Sequence, residues 1–211
     1  MIVVNFKNYV YKQKALELVR TIDIYCNKAI VAVPIVDLME TAKNTTLPIF
    51  AQHVDFQELG RGTGYNIPEF LKEAGAQGSL LNHSEHKLSI AAVKKTINRC
   101  RDIGFKLIIC VSNLNDVEKI KKLSPYAIAF EDPNLIESGK SITTHKTHDV
   151  EKFSKILQGT DIIPLCGAGI SSGDDVKKAY DLGCKGILVS SVIANNPHPE
   201  EFLKEVASVK T

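Results

Sequence analysis

No C-x-x-C motif occurs in the 211 residues. The cysteines are Cys26, Cys100, Cys110, Cys166 and Cys184, an odd set of five with no two close together. That excludes a disulfide framework and points to free thiols in a reducing cytoplasm. No charged-then-apolar leader precedes the strand-like IVVNF that follows Met1, so no signal peptide is expected. No apolar run is long enough to span a bilayer. Neither sign of charge dominates: 26 Lys and Arg face 24 Asp and Glu, for a net +2. Without a basic block or interleaved aromatics, a nucleic-acid partner is not expected. A few local donors would still suffice for a small anionic substrate. Linkers, low-complexity segments and composition shifts are also missing, so residues 1–211 read as one domain.

What is present is a series of short apolar runs: Ile2 to Phe6, Ile30 to Val33, Ile49 to Val54, Ser79 to Asn82, Leu107 to Val111, Ala127 to Phe130, Ile162 to Cys166 and Ile187 to Ser190. They are nearly continuous rather than alternating, as in parallel strands buried on both faces. Amphipathic stretches separate most of them: Tyr11 to Cys26, Ile90 to Arg101, Asp116 to Leu123, Asp149 to Leu157, Asp174 to Leu182 and Glu200 to Val209. Asp149 and Ser172 to Asp174 offer N-cap chemistry. Gly75, Gly104, Gly159 and Gly183 follow helical patterns where a left-handed cap is wanted. Hydrophobic residues make up 44% of the chain, enough for one sizeable core. About eight strand–helix units leave a closed (β/α)8 barrel or a doubly wound open sheet. The open sheet often carries a glycine fingerprint after its first strand. Here Lys7-Asn8-Tyr9 stands there, which favours a single α/β barrel. The length is short for that fold, so some helices must be trimmed, with Pro34 to Pro48 the best candidate.

Active sites of parallel barrels lie at the carboxyl ends of the strands. The polar residues there are Asn5 and Lys7, Gln52, Asn82, His83 and Glu85, Glu131, Gly167 to Gly169, and Ser190 with Ser191. The stretch Ala127 to Ser141, AIAFEDPNLIESGKS, is the most informative. Its apolar strand ends on Glu131, and a polar loop follows, opened by Pro133 and closed by Gly139 and Lys140. Burial raises a carboxylate's pKa toward the operating pH, which suits a general base, and a loop that shuts out water strengthens every charge interaction beneath it. Gly167-Ala168-Gly169 lets backbone N–H groups approach an anion, and the helix from Asp174 has an anion-friendly start. Glu85 also reads as a helix-start acid, and Cys110 as a core residue.

Taken together, Asn5-Phe6-Lys7, Asn82-His83-Ser84-Glu85, Glu131 with its loop, and Cys166-Gly167-Ala168-Gly169-Ile170 resemble the triosephosphate isomerase family, in its short archaeal form. The resemblance runs through nearly the whole chain. It implies a cofactor-free isomerase of triose phosphates, interconverting dihydroxyacetone phosphate and glyceraldehyde 3-phosphate in glycolysis and gluconeogenesis. Glu131 would be the base. His83 would polarise the carbonyl as neutral imidazole at a helix start. Lys7 would supply fixed positive charge, with Glu85 as its supporting partner. Asn5, Ile136, Glu137, Gly167, Ala168, Gly169, Ser190 and Ser191 would contact substrate, and the segment from Glu131 to Lys140 would be a lid.

The chain departs from the family pattern where Asp132 stands before Pro133, and where Glu137 replaces a glycine of the lid tip. Ser191-Val192 also lacks the usual glycine. A weaker or slower lid is expected, and a phosphate-binding barrel with reduced isomerase activity is the alternative. The pairs His83/His86 and His145/His148 have a spacing that can chelate, which would suit a metal-dependent barrel enzyme instead. In the family, the loop matching Gly60 to Asn66 inserts into a neighbouring subunit. That implies a homo-oligomer, a dimer or a tetramer.

Overall fold

Among the described residues, eight parallel strands pair in sequence order, and the last closes on the first. The computed structural model describes residues 1–136 and 138–209. The strands are β1 (Ile2–Asn5), β2 (Ile30–Val33), β3 (Ile49–Ala51), β4 (Gly78–Leu81), β5 (Lys106–Val111), β6 (Ala127–Glu131), β7 (Ile163–Gly167) and β8 (Gly186–Val189). The helices are α1 (Gln13–Tyr25), α2 (Ile35–Lys43), α3 (Pro68–Glu73), α4 (Ile90–Asp102), α5 (Leu114–Lys121), α6 (Ile142–His145), α7 (Thr147–Leu157), α8 (Gly173–Asp181), α9 (Ser191–Ala194) and α10 (Pro199–Ser208). A 3-10 turn, Pro133–Leu135, follows β6.

The continuous apolar runs are explained by two separate cores. Val3, Ile30, Ala32, Phe50, Leu80, Ile108, Cys110, Ala127, Ala129, Leu165 and Leu188 fill the barrel interior. Their neighbours in each strand, such as Val4, Val31, Ile109 and Ile128, pack outward against the helices. Strand side chains alternate faces, so the inward set continues at the carboxyl rim with Asn5, Gln52 and Glu131. This parity aims the polar strand ends at the barrel axis.

Gly75, Gly104, Gly159 and Gly183 all take positive φ after their helices. The N-caps are Ser89, Asn113 and Ser172, each accepting a backbone N–H from three residues on. Asp149 is not a cap: it lies in the first turn of α7, which opens at Lys146. The trimming also falls elsewhere than the sequence pattern suggests. The second unit keeps a nine-residue helix, and the third has six residues in α3. Its chain goes instead into the loop between β3 and α3. Strand β3 itself stops at Ala51, because Gln52 turns its side chain to the neighbouring strand ends.

Candidate active site

The rim closes around a cavity of about 610 Å³. Asn5, Lys7, His83, Glu131, Ile136, Ala168, Gly169, Ser190 and Ser191 line it, together with Tyr9, Gly139, Ile170, Ser171, Val192 and the turn Asn195-Asn196-Pro197.

Glu131 ends β6 with its side chain 8% exposed. Burial pushes its pKa above the ordinary value of 4.5, against the opposing pull of His83, the Cys110 thiol and Lys7. Its Oε2 stands 3.6 Å from His83 Nε2 and has no hydrogen-bond partner among the described residues. The room for this carboxylate comes from Gly167, its register partner on β7. Gly167 does not line the cavity as the sequence suggests; it sits beside the base.

His83 follows Asn82, which takes φ of 61° and is held by Nδ2 donating to Cys110 O and Oδ1 accepting from Leu88 N. No helix starts at His83, contrary to the sequence expectation. Helix α4 begins at Ile90. A tight turn takes its place, with His86 N donating to His83 O and Glu85 N donating to His83 Nδ1 at 3.2 Å. An Nδ1 that accepts leaves the neutral ring's proton on Nε2, the nitrogen facing Glu131.

Lys7 is held under strain. Its φ of 45° is left-handed, which costs a non-glycine residue about 1 kcal/mol or more. Asn5 Oδ1 accepts Lys7 N at 3.0 Å, and Gln52 Nε2 donates to Lys7 O at 2.9 Å and to Asn5 Oδ1 at 3.2 Å. The ammonium is 2.6 Å from Glu85 Oε1. The other oxygen of Glu85, Oε2, is 3.6 Å from His83 Nδ1, beyond hydrogen-bonding distance.

The opposite wall differs from expectation too. The start of α8 is not open to an anion: Ser171 N donates to Asp175, Asp175 N to Ser172 Oγ, and Gly173 N to Glu205. Ser190 and Ser191, before and at the start of the short α9, do face the cavity, and Ser190 Oγ is buried with no partner among the described residues. Gly169, with φ of 71°, lies against the returning end of the 132–141 segment, where an added Cβ would fall 2.0 Å from Lys140 O. Ile136 reaches the cavity. Glu137 lies outside the described residues.

The histidines of the two pairs are placed as follows. His86 stacks on His53 with ring centroids 4.1 Å apart, and His145 and His148 belong to different helices. Among the described residues, no three His, Cys, Asp or Glu side chains are grouped to hold a metal ion. Sequence reasoning missed Tyr9, Ser171 and Asn195 to Pro197 as lining residues. Only the last gave a signal, as a polar turn with proline after the eighth strand. It also gave Gln52 a place at the rim but no role.

A closed parallel barrel with a buried carboxylate, an imidazole and an ammonium on one rim defines an acid–base enzyme of the (β/α)8 class. The profile of one family, triosephosphate isomerase, matches residues 1–207. The chain belongs to the triosephosphate isomerase family. It is 33% identical to the triosephosphate isomerase of Methanocaldococcus jannaschii over 214 residues, covering 98% of each chain. It is 34% identical to that of Sulfurisphaera tokodaii over 212 residues, covering 97% of this chain and 93% of the relative. It is 36% identical to that of Methanobrevibacter smithii over 216 residues, covering 99% and 97%.

Proposed function

We propose that this rim interconverts dihydroxyacetone phosphate and D-glyceraldehyde 3-phosphate through an enediolate, with the 1–211 chain acting as one unit. The observation that carries the reading is the buried Glu131 carboxylate facing His83 Nε2 at 3.6 Å across a cavity that Lys7 also lines. Glu131 takes a proton from the carbon beside the carbonyl and returns it to the neighbouring carbon of the enediolate. His83 donates from Nε2 to the carbonyl oxygen and passes protons between the two oxygens. Lys7, preorganised by Asn5 and Gln52, stabilises the negative charge that develops. Gly169, Ser190 and Ser191 receive the phosphate, with Ile136 and Gly139 at the same cavity. Proton transfer between neighbouring atoms is the whole chemistry, so side chains suffice.

A homo-oligomer is part of the same reading. The loop from 56 to 65 is closed at its root by Asp55, whose backbone N and Oδ2 both bond Asn66. Leu59 and Tyr65 on that loop, with Tyr11, Ile35, Val36 and Met39, are large apolar side chains left exposed. Ile24, Phe70 and Ile90 are exposed as well, and apolar side chains left uncovered support a protein interface. The five free thiols support a cytoplasmic location.

The test is turnover of glyceraldehyde 3-phosphate in a coupled assay, with and without excess chelator, beside the mass in solution. Turnover that resists the chelator, by a species of two or four chains, is the expected outcome. A protein that binds phosphate but does not isomerise fails the first assay, and a monomer ends the assembly reading.

A further inference from the structure

Asp132 directly follows the base. Its Oδ1 accepts from Asn134 N at 2.9 Å and from Asn134 Nδ2 at 3.0 Å, capping the Pro133–Leu135 turn. Its other oxygen stands 3.4 Å from Lys146 Nζ. Lys146 is the joint between α6 and α7, ending one and opening the other. Its ammonium also lies 4.0 Å from Asp149 Oδ2, so two carboxylates share one cation. Burial alone would raise the Asp132 pKa, but the Asn134 N–H, Lys146 and the Asn134 amide outweigh it and hold the carboxyl below its usual range.

The far end of the same segment is tied differently. Ile142 N donates to Ala168 O at 3.0 Å, and a chain of Ser141, Thr143 and Asp175 side chains anchors it to the start of α8. That end is buried, whereas the Lys146 side chain is 44% exposed. The Asp132 side chain is 15% exposed, and an ion pair whose cation is this open to water is weak and easily exchanged. It cannot hold the fold, but it can bias the position of a short turn. The turn it biases carries Glu131 on one side and Ile136 on the other, and both line the cavity.

We propose that Asp132 is a positioning residue, which through Lys146 fastens the Pro133–Leu135 turn to the α6–α7 joint and so sets how firmly Glu131 and Ile136 are held at the cavity. The consequence for turnover rests on the isomerase reading above; the fastening itself does not. Two substitutions separate the ion pair from the cap. Asp132→Asn keeps an acceptor for Asn134 N and loses the charge. Lys146→Met loses the cation and leaves the cap alone.

Hydrogen exchange of the backbone amides and steady-state kinetics should be measured together. Exchange at Asn134 to Ile136 should quicken in both variants, with the barrel strands unchanged. In each, kcat and KM should shift together by about 2–5-fold, the scale of a half-exposed pair. The double variant should add nothing further, Lys146→Arg should restore the unmutated values, and Asp149→Asn should leave them intact. Unchanged exchange in Lys146→Met overturns the proposal whatever the activity. So do altered kinetics in Asp149→Asn equal to those of Lys146→Met, which would place the effect in α7. An unmutated protein without turnover defeats the isomerase reading, while the exchange experiment still decides the fastening.

Discussion

Gly167 makes the space that Glu131 occupies. A Cβ at Gly167 would come within 3.0 Å of Glu131 Oε1 and 2.5 Å of the Leu188 carbonyl oxygen. The carboxylate can yield, but the backbone of β8 cannot do so cheaply. Gly167→Ala should therefore cost about 1–3 kcal/mol of stability, as overpacking does. A displacement of the base by about 1 Å should lower kcat by roughly 10²-fold. Calorimetry and steady-state kinetics on the same preparation check both. Full activity in Gly167→Ala would show that the base does not depend on this contact.

The burial of Glu131 has a pH signature. Its raised pKa means the folded state holds the proton more tightly than the unfolded chain does. Folding is then weakened as pH climbs from the ordinary 4.5 through the folded value, and the whole cost stands above it. Glu131→Gln should raise Tm at neutral pH, by about 2–4 °C for each kcal/mol regained. That gain should vanish below the ordinary carboxylate pKa, and turnover should be lost at every pH. Glu131→Asp, with the base withdrawn by one methylene, should keep the fold and lose roughly 10²-fold in kcat. In the unmutated protein, kcat/KM should rise with pH through a value above 4.5.

Gln52 donates to both Asn5 and the backbone of Lys7. Gln52→Leu would leave that carbonyl without its donor, at about 1–3 kcal/mol. Lys7 would be freed to relax from its strained φ. A rise in KM for the phosphate substrate larger than the fall in kcat is the expected pattern, read from initial rates. A loss of Tm with unaltered kinetics would reduce Gln52 to a structural part.

At position 137 a carboxylate stands where the family places a glycine whose N–H serves the phosphate. Glu137→Gly should tighten binding of a phosphate-bearing triose analogue, measured by calorimetric titration. An unchanged or weaker Kd would count against a repulsive role for this side chain.

The strands were legible because a doubly buried strand leaves no polar alternation, and all eight are present within two or three residues of their apolar runs. That Lys7, His83 and Glu131 would share one cavity was legible because a parallel barrel gathers its strand ends on one rim. What stayed hidden depends on contacts between strands. Nothing in the order of residues says that Gly167 serves Glu131, since the two meet only through the β6–β7 register. The occupied start of α8 was equally hidden, because Glu205 comes to it from α10. The turn at His83 passed for a helix start because Ser84-Glu85 carries cap-like residues, while the actual cap, Ser89, lies further on.

Closure of the sheet bears on how the molecule can associate. With β8 paired to β1 from Ile2 opposite Ile187 to Val4 opposite Val189, no strand among the described residues presents a free row of amides and carbonyls to a neighbour. Any association between copies would then use loops and helix faces, where apolar side chains can be matched one by one. Opening the β1–β8 seam would uncover two raw edges at once, and such a partly opened chain is the form from which fibrous or amorphous deposits would grow.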